Sequence, residues 1–175
     1  LGLQLNSSKV NTVYALSLTE PYFTVDGVSR GFDIYKRNVD PTSIDSGRFR
    51  TSTIGGQMRF GVPVTERDTI NFGLGAERTE LTTFPDSPQR FLDFVNTFGS
   101  DNTTLLGTVG WARDGRDSVI YPTKGRLQKA TMEIGLPGGS LRYYKLSYQH
   151  QWYYPVSRFN SIMLNGELGV GDGLD

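Results

Sequence analysis

Cysteine is absent from the sequence, and histidine occurs once, at His150. Disulfides, thiolate nucleophiles and cysteine metal sites are thereby excluded. Charge of one sign is also missing: 18 basic and 18 acidic residues leave a formal net charge of +0, so nucleic acid is not an expected partner. No stretch of 18 apolar residues exists, which rules out a transmembrane helix and says nothing against a transmembrane barrel. The opening "LGLQLNSS" has neither the basic start nor the apolar run of a secretory signal and is already strand-like. What is abundant is glycine and aromatics: 21 Gly, 9 Tyr and 10 Phe, in a chain only 37% hydrophobic. That combination favours twisted β structure over helix. At 175 residues the chain is one domain or a piece of something larger.

Almost every informative segment follows period two. Tyr14, Leu16 and Leu18 alternate with Ala15, Ser17 and Thr19. Ile54, Met58, Phe60 and Val62 oppose Thr53, Gln57, Arg59 and Gly61, and Ile70, Phe72, Leu74 and Ala76 oppose Asn71, Gly73, Gly75 and Glu77. The same alternation runs through "QKATMEIGL", "YKLSYQHQWYY" and "SIMLNGELGV". With "LGLQLN", "VSRGFDIYK" and "LLGTVGWA" added, about nine strands are expected.

The connections alternate in kind. One set is tight and marked by proline: "EPYFTVDGV", "GVPVTERDTI", "IYPTKGRL" and "YPVSRFNSI", of which "PVTERDT" and "PVSRFNS" are near copies in layout. The other set varies: "SSKVN", "NVDPTSIDSGR", the long "TTFPDSPQRFLDFVNTFGSDNT" and "PGGS". Within the long one, "QRFLDFVNTF" reads as a loop element holding at most a helical turn. Short turns at one end and longer loops at the other are the layout of an up-and-down transmembrane barrel, with periplasmic turns and extracellular loops. Residues 1–175 read as one partial barrel domain.

Alternation alone fits a soluble β-sandwich equally well, one that could bind carbohydrate between its loops. Three features favour lipid. The polar set is rich in Gly, Gln, Asn, Glu, Lys and Arg, as a wet lumen allows. Aromatics gather near turns at Tyr22, Phe23, Tyr121, Trp152, Tyr153 and Tyr154, as in an interfacial girdle. Each strand is expected to be roughly 9 to 11 residues, enough to cross hydrocarbon when tilted.

No catalytic, cofactor-binding or metal-ligating residue is expected, and no cofactor. His150 falls on the lipid-side set between Tyr148 and Trp152, without the carboxylate a general base would want. "RDGRD", Arg113 to Asp117, offers too few oxygen ligands for a hard cation and reads as a charge-paired strand end. Gly73 and Gly75 precede no helix and so form no phosphate loop; they are expected to bend a strand and make room in the lumen.

The segments "EPYFTVDGVSRGFDIYKR", "WARDGRDSVIYPTKGRL" and "GELGVGDG" together resemble the barrel of the BamA family of outer-membrane assembly proteins. The specific parts are the turn Glu20-Pro21-Tyr22-Phe23 and the Asp-x-x-x-x-Pro-Thr-x-Gly turn from Asp117 to Gly125. The resemblance implies a barrel of about 16 strands in a Gram-negative outer membrane, of which this chain would supply about the third through the eleventh. It implies upstream periplasmic domains, lipoprotein partners, unfolded outer-membrane protein substrates, and insertion of those substrates without nucleotide hydrolysis. It also implies that the edges of the segment pair with the remaining strands or with another copy. A two-partner secretion pore or a translocation and assembly barrel of the same superfamily is the alternative.

Ser29-Arg30-Gly31-Phe32 spells an Arg-Gly-Phe string that in such barrels marks a loop folded into the lumen. The resemblance places the true signature on a later loop, beyond Asp175. Here the string follows a short proline-marked turn and opens a strand, with Arg30, Phe32, Ile34 and Lys36 on the lipid side and Gly31, Asp33, Tyr35 and Arg37 on the other. Arg30 and Lys36 are then expected to snorkel toward headgroups.

Overall fold

A computed structural model describes residues 1–44, 48–157 and 160–174. The later part of "NVDPTSIDSGR" and the centre of "PVSRFNS" thus fall outside the described residues, as does Asp175. The described residues form nine strands: β1 (Gly2–Ser7), β2 (Asn11–Glu20), β3 (Ser29–Val39), β4 (Phe49–Pro63), β5 (Asp68–Thr83), β6 (Asp101–Asp114), β7 (Gly125–Leu136), β8 (Tyr143–Pro155) and β9 (Ser161–Gly173). One α-helix, α1 (Gln89–Phe98), stands between β5 and β6, and a 3-10 turn (Pro41–Ile44) follows β3. The strands make one sheet in chain order, and every pair is antiparallel. This is the all-β, up-and-down segment that the alternation predicts.

Register carries the alternation across the sheet, because residues directly opposite one another share a face. One row runs Leu3, Leu16, Ile34, Gly56, Ala76, Leu105, Leu136. The row beside it runs Ser17, Asp33, Gln57, Gly75, Leu106, Gly135. The first belongs to an apolar outer face and the second to a largely polar inner face.

Burial is inverted relative to a water-soluble protein. Ile34, Leu74 and Leu168 are 62%, 61% and 73% exposed, whereas Asn102 and Thr104 are 2% and 3% exposed. Only Leu81 and Leu127 are buried hydrophobics among the described residues. A sandwich would bury its large apolar side chains between two sheets; here Phe72 and Trp152 lie on the outside of a single sheet. The soluble sandwich is therefore not the fold.

Strand length departs from expectation. β4, β5 and β6 run 15, 16 and 14 residues instead of the roughly 9 to 11 that suffice to cross hydrocarbon. The reason lies in β5, whose outer face is apolar only from Ile70 to Ala76. Beyond that the strand continues with Arg78 and Glu80, and Arg78 forks onto Asp101 of β6. Sixteen strand residues extend about 50 Å, which at a tilt of about 45° spans about 35 Å of depth, more than an apolar band of about 25 Å, so the ladder continues into water.

The proline-marked connections all lie at one rim, called here the turn rim, and the others at the loop rim. The two near-copy turns close identically. The residue after proline bonds the carbonyl four positions on, Val64 to Asp68 at 2.8 Å and Val156 to Asn160 at 2.9 Å. A hydroxyl then accepts the returning N–H, Thr65 from Asp68 and Ser157 from Asn160. At the loop rim, "QRFLDFVNTF" is a full ten-residue helix rather than a turn. Phe91, Phe94, Val95 and Phe98 recur at helical spacing, and Gly99, with φ of +83°, ends the helix by donating to Val95 O. Phe91 packs on Phe49 of the inner face at 4.5 Å between ring centroids, so α1 folds over the inner face.

Candidate functional site: the two faces of the wall

The inner face is held by hydrogen-bonded charges. Asp33 on β3 accepts from Arg59 Nε at 2.5 Å and Arg59 Nη2 at 3.0 Å, from Gln57 at 3.1 Å and from Ser17 at 2.6 Å. One carboxylate thereby ties β2, β3 and β4 together. Two tyrosines act in a similar way. Tyr35 of β3 donates to Glu77 of β5 at 2.8 Å, and Tyr143 of β8 donates to Glu133 of β7 at 2.9 Å. Each passes a glycine. A Cβ on Gly55 would sit 2.8 Å from the Tyr35 ring, and one on Gly135 would sit 3.1 Å from Tyr143 Cδ1.

Gly73 and Gly75 serve the same purpose. A Cβ at Gly73 would collide with Thr108 Oγ1, and one at Gly75 would fall 2.9 Å from Gln57 Cβ. The lumen-side room expected of them is taken up by neighbouring strands' side chains. Arg37, Arg59, Lys129 and Lys145 share this face with Asp33, Glu77, Glu133 and Glu167, so it is hydrophilic without a strong field of either sign. No cluster of three or more His, Cys, Asp or Glu side chains suited to a metal occurs among the described residues.

The outer face is apolar at mid-height and changes character at its rims. Near the turn rim, Trp152 meets Tyr154 edge-on at 6.1 Å, and Arg126 lies 5.5 Å over the Trp152 ring. Tyr153, expected in the same girdle, points to the inner face, where its hydroxyl bonds Gln151 at 3.1 Å; a three-residue aromatic run cannot keep one side on a strand. His150 is on the outer face, with Nδ1 3.1 Å from the Tyr148 hydroxyl that Gln128 also reaches at 2.9 Å.

Arg30 does not reach freely outward. It forks onto Glu20 at 2.6 and 3.0 Å and lies 4.0 Å over the Phe23 ring. Period two places Arg30 on the correct face but misses this pairing. Glu20 and Arg30 are directly opposite across β2 and β3, a relation visible only once the register is known.

The Asp-x-x-x-x-Pro-Thr-x-Gly turn is a structural lock. Asp117 accepts from Thr123 Oγ1 at 2.5 Å, from Thr123 N at 2.9 Å and from Lys124 N at 3.1 Å. The Thr123 hydroxyl, with the two N–H groups, holds the Asp117 carboxyl down at a pKa of about 2. Gly125 has φ of +112°, and a Cβ there would collide with Gly115 O. Within "RDGRD", Asp114 pairs with Arg116 at 2.7 Å, and Arg113 approaches Asp68 at 3.7 Å, the charge-paired strand end that the sequence suggests.

The chain is 39% identical over 98% of its length to "Outer membrane protein assembly factor BamA" of Neisseria meningitidis serogroup B, covering 23% of that protein. It is 31% identical over 74% of its length to the protein of the same name from Nitratidesulfovibrio vulgaris, covering 15% of it. The fold superposes on the crystal structure of BamA from Haemophilus ducreyi lacking POTRA domains 1-3 with a TM-score of 0.83 and 25% identity, covering 98% of this chain and 35% of that one. The chain thus spans about a quarter or less of the curated relatives it matches. The Omp85 superfamily domain matches residues 1–175, and the chain belongs to that superfamily.

Proposed function

We propose that this chain is a wall segment of an outer-membrane barrel that folds and inserts other β-barrel proteins into the bacterial outer membrane. The observation that carries the reading is the nine-stranded meander itself, apolar outward and polar inward, together with its likeness to proteins named as outer-membrane assembly factors. In this placement the turn rim faces the periplasm and the loop rim, with α1, faces the exterior.

A wall of this kind works mechanically. Its hydrogen-bonded ladder stays intact while edge strands elsewhere in the barrel offer pairing templates to incoming strands. Edge N–H and C=O groups cannot stay unpaired in hydrocarbon, so β1 and β9 pair with the remaining strands of a closed barrel. Periplasmic domains, lipoprotein partners and a luminal loop signature belong to the rest of that protein. Strand pairing and burial of apolar surface in lipid are themselves downhill, so insertion is expected to run without nucleotide.

The test is reconstitution of the full-length protein in liposomes with an unfolded barrel substrate, following its heat-resistant folded band on gels. Folding accelerated over empty liposomes, with or without nucleotide, supports the proposal. Folding no faster than in empty liposomes would overturn the assembly reading, and a strict nucleotide requirement would overturn the passive mechanism.

A further inference from the structure

We infer that the outer face of this wall carries a binding site for one anionic phospholipid headgroup at the turn rim, between the ends of β7 and β8. The inference rests on the membrane placement proposed above and not on the assembly activity. A groove of about 490 Å³ opens at this end of the sheet, lined by Lys124, Arg126, Trp152, Tyr154 and Pro155 together with Gly125 and Tyr153. Neither of its two cations is ion-paired to a carboxylate among the described residues, whereas the neighbouring Arg113 and Arg116 pair with Asp68 and Asp114.

The nearby acids are already engaged. Asp114 is forked by Arg116 through Nε and Nη2, and Asp117 accepts from the Thr123 hydroxyl and the Thr123 and Lys124 N–H groups. Asp114 is balanced by Arg116, while Asp117 keeps its charge, so Lys124 and Arg126 against Asp117 leave the groove with an excess positive charge at the boundary where hydrocarbon gives way to headgroups. An uncompensated cation is costly there unless it meets water or an anion. A phosphate diester supplies that anion at the right depth.

The aromatic floor fits the same occupant. Trp152 holds Arg126 over its ring at 5.5 Å, and Tyr154 stands edge-on to Trp152, so the guanidinium is fixed in direction before a ligand arrives. Fixing a donor in advance lowers the entropy lost on binding. Indole and phenol rings settle at the level of the glycerol and carbonyl groups, which places the Lys124 and Arg126 charges at the phosphate level. Two positive charges select a lipid with net negative charge over a zwitterionic one, whose own ammonium would be repelled.

The experiment uses the full-length protein in non-ionic detergent, titrated with phosphatidylglycerol or phosphatidylcholine of equal chains and read by native mass spectrometry. Wild type is expected to retain one phosphatidylglycerol in preference to phosphatidylcholine. K124Q/R126Q should lose that preference at about fivefold per charge removed, whereas K124R/R126K and the inner-face K145Q should keep it. Heat-modifiable migration on gels checks that each variant is folded; should K124Q/R126Q fail this, R126Q alone carries the test. Equal retention of the two lipids, no loss in the folded charge variant, or displacement by excess inorganic phosphate would each overturn the site. A protein that stays monodisperse without detergent would instead overturn the membrane placement itself.

Discussion

The Tyr35 hydroxyl reaches Glu77 at 2.8 Å by crossing Gly55, on the strand between them, so closely that a Cβ on that glycine would stand 2.8 Å from the phenol ring. Three consecutive strands are thereby locked from the inner face, and a bulkier residue at Gly55 must displace the ring. Gly55→Val in the full-length protein should cost about 1–3 kcal/mol, as overpacking does. Tyr35→Ala removes the obstruction, so the double variant should lose less than the sum of the two single variants. Urea midpoints in lipid vesicles measure this. Strict additivity would mean that Tyr35 does not lie over Gly55.

Asp117 supplies a prediction in pH. Its carboxyl is depressed from the ordinary aspartate value of 3.8 to about 2, so the contribution to stability is complete above pH 4 and is lost as pH falls through 2. Asp117→Asn cannot titrate and should flatten the loss of stability between pH 4 and 2. Thermal midpoints of both proteins at four pH values across this window would show it. Curves that remain parallel would remove Asp117 from the acid response.

These two sites differ in how far they can be read from sequence. The Asp117 to Gly125 spacing is contiguous, so its signature is visible there, although that the carboxylate caps its own turn emerges only with the geometry. The Tyr35–Glu77 bond joins β3 to β5 and depends on two registers, each set by a hairpin between them. Period two assigns both residues to the inner face and stops there. The helix is legible in principle, since Phe91, Phe94, Val95 and Phe98 follow helical spacing ahead of Gly99. Ten residues within a long loop make that signal easy to discount, and what fixes α1 is a tertiary contact, Phe91 on Phe49.

Facing can be tested with two neighbours on β7. Met132 stands on the outer face between Val109 and Leu146, and Thr131 stands on the inner face between Gly110 and Ser147. Met132→Arg should destabilise the protein in lipid by about 2–4 kcal/mol, the usual cost of a cation at bilayer mid-depth, while Thr131→Arg, facing water, should cost little. Equilibrium unfolding in vesicles separates them. The reverse order would mean that the two faces are exchanged.

Arg30 gives the last prediction, because its Arg-Gly-Phe string invites a larger role than its surroundings support. It pairs with Glu20 across adjacent strands and stacks on Phe23, and its side chain is on the outer face at the turn rim. A half-exposed pair of this kind couples by about 0.2–1 kcal/mol, with a similar amount from the ring contact. Arg30→Gln should therefore lower stability modestly, show a coupling of that size with Glu20→Gln in a double-mutant cycle, and leave substrate folding in liposomes near the wild-type rate. A string acting as a luminal latch would behave otherwise, losing activity out of proportion to stability and independently of Glu20. Measuring both quantities on the same three variants separates a strand-end clasp from a latch.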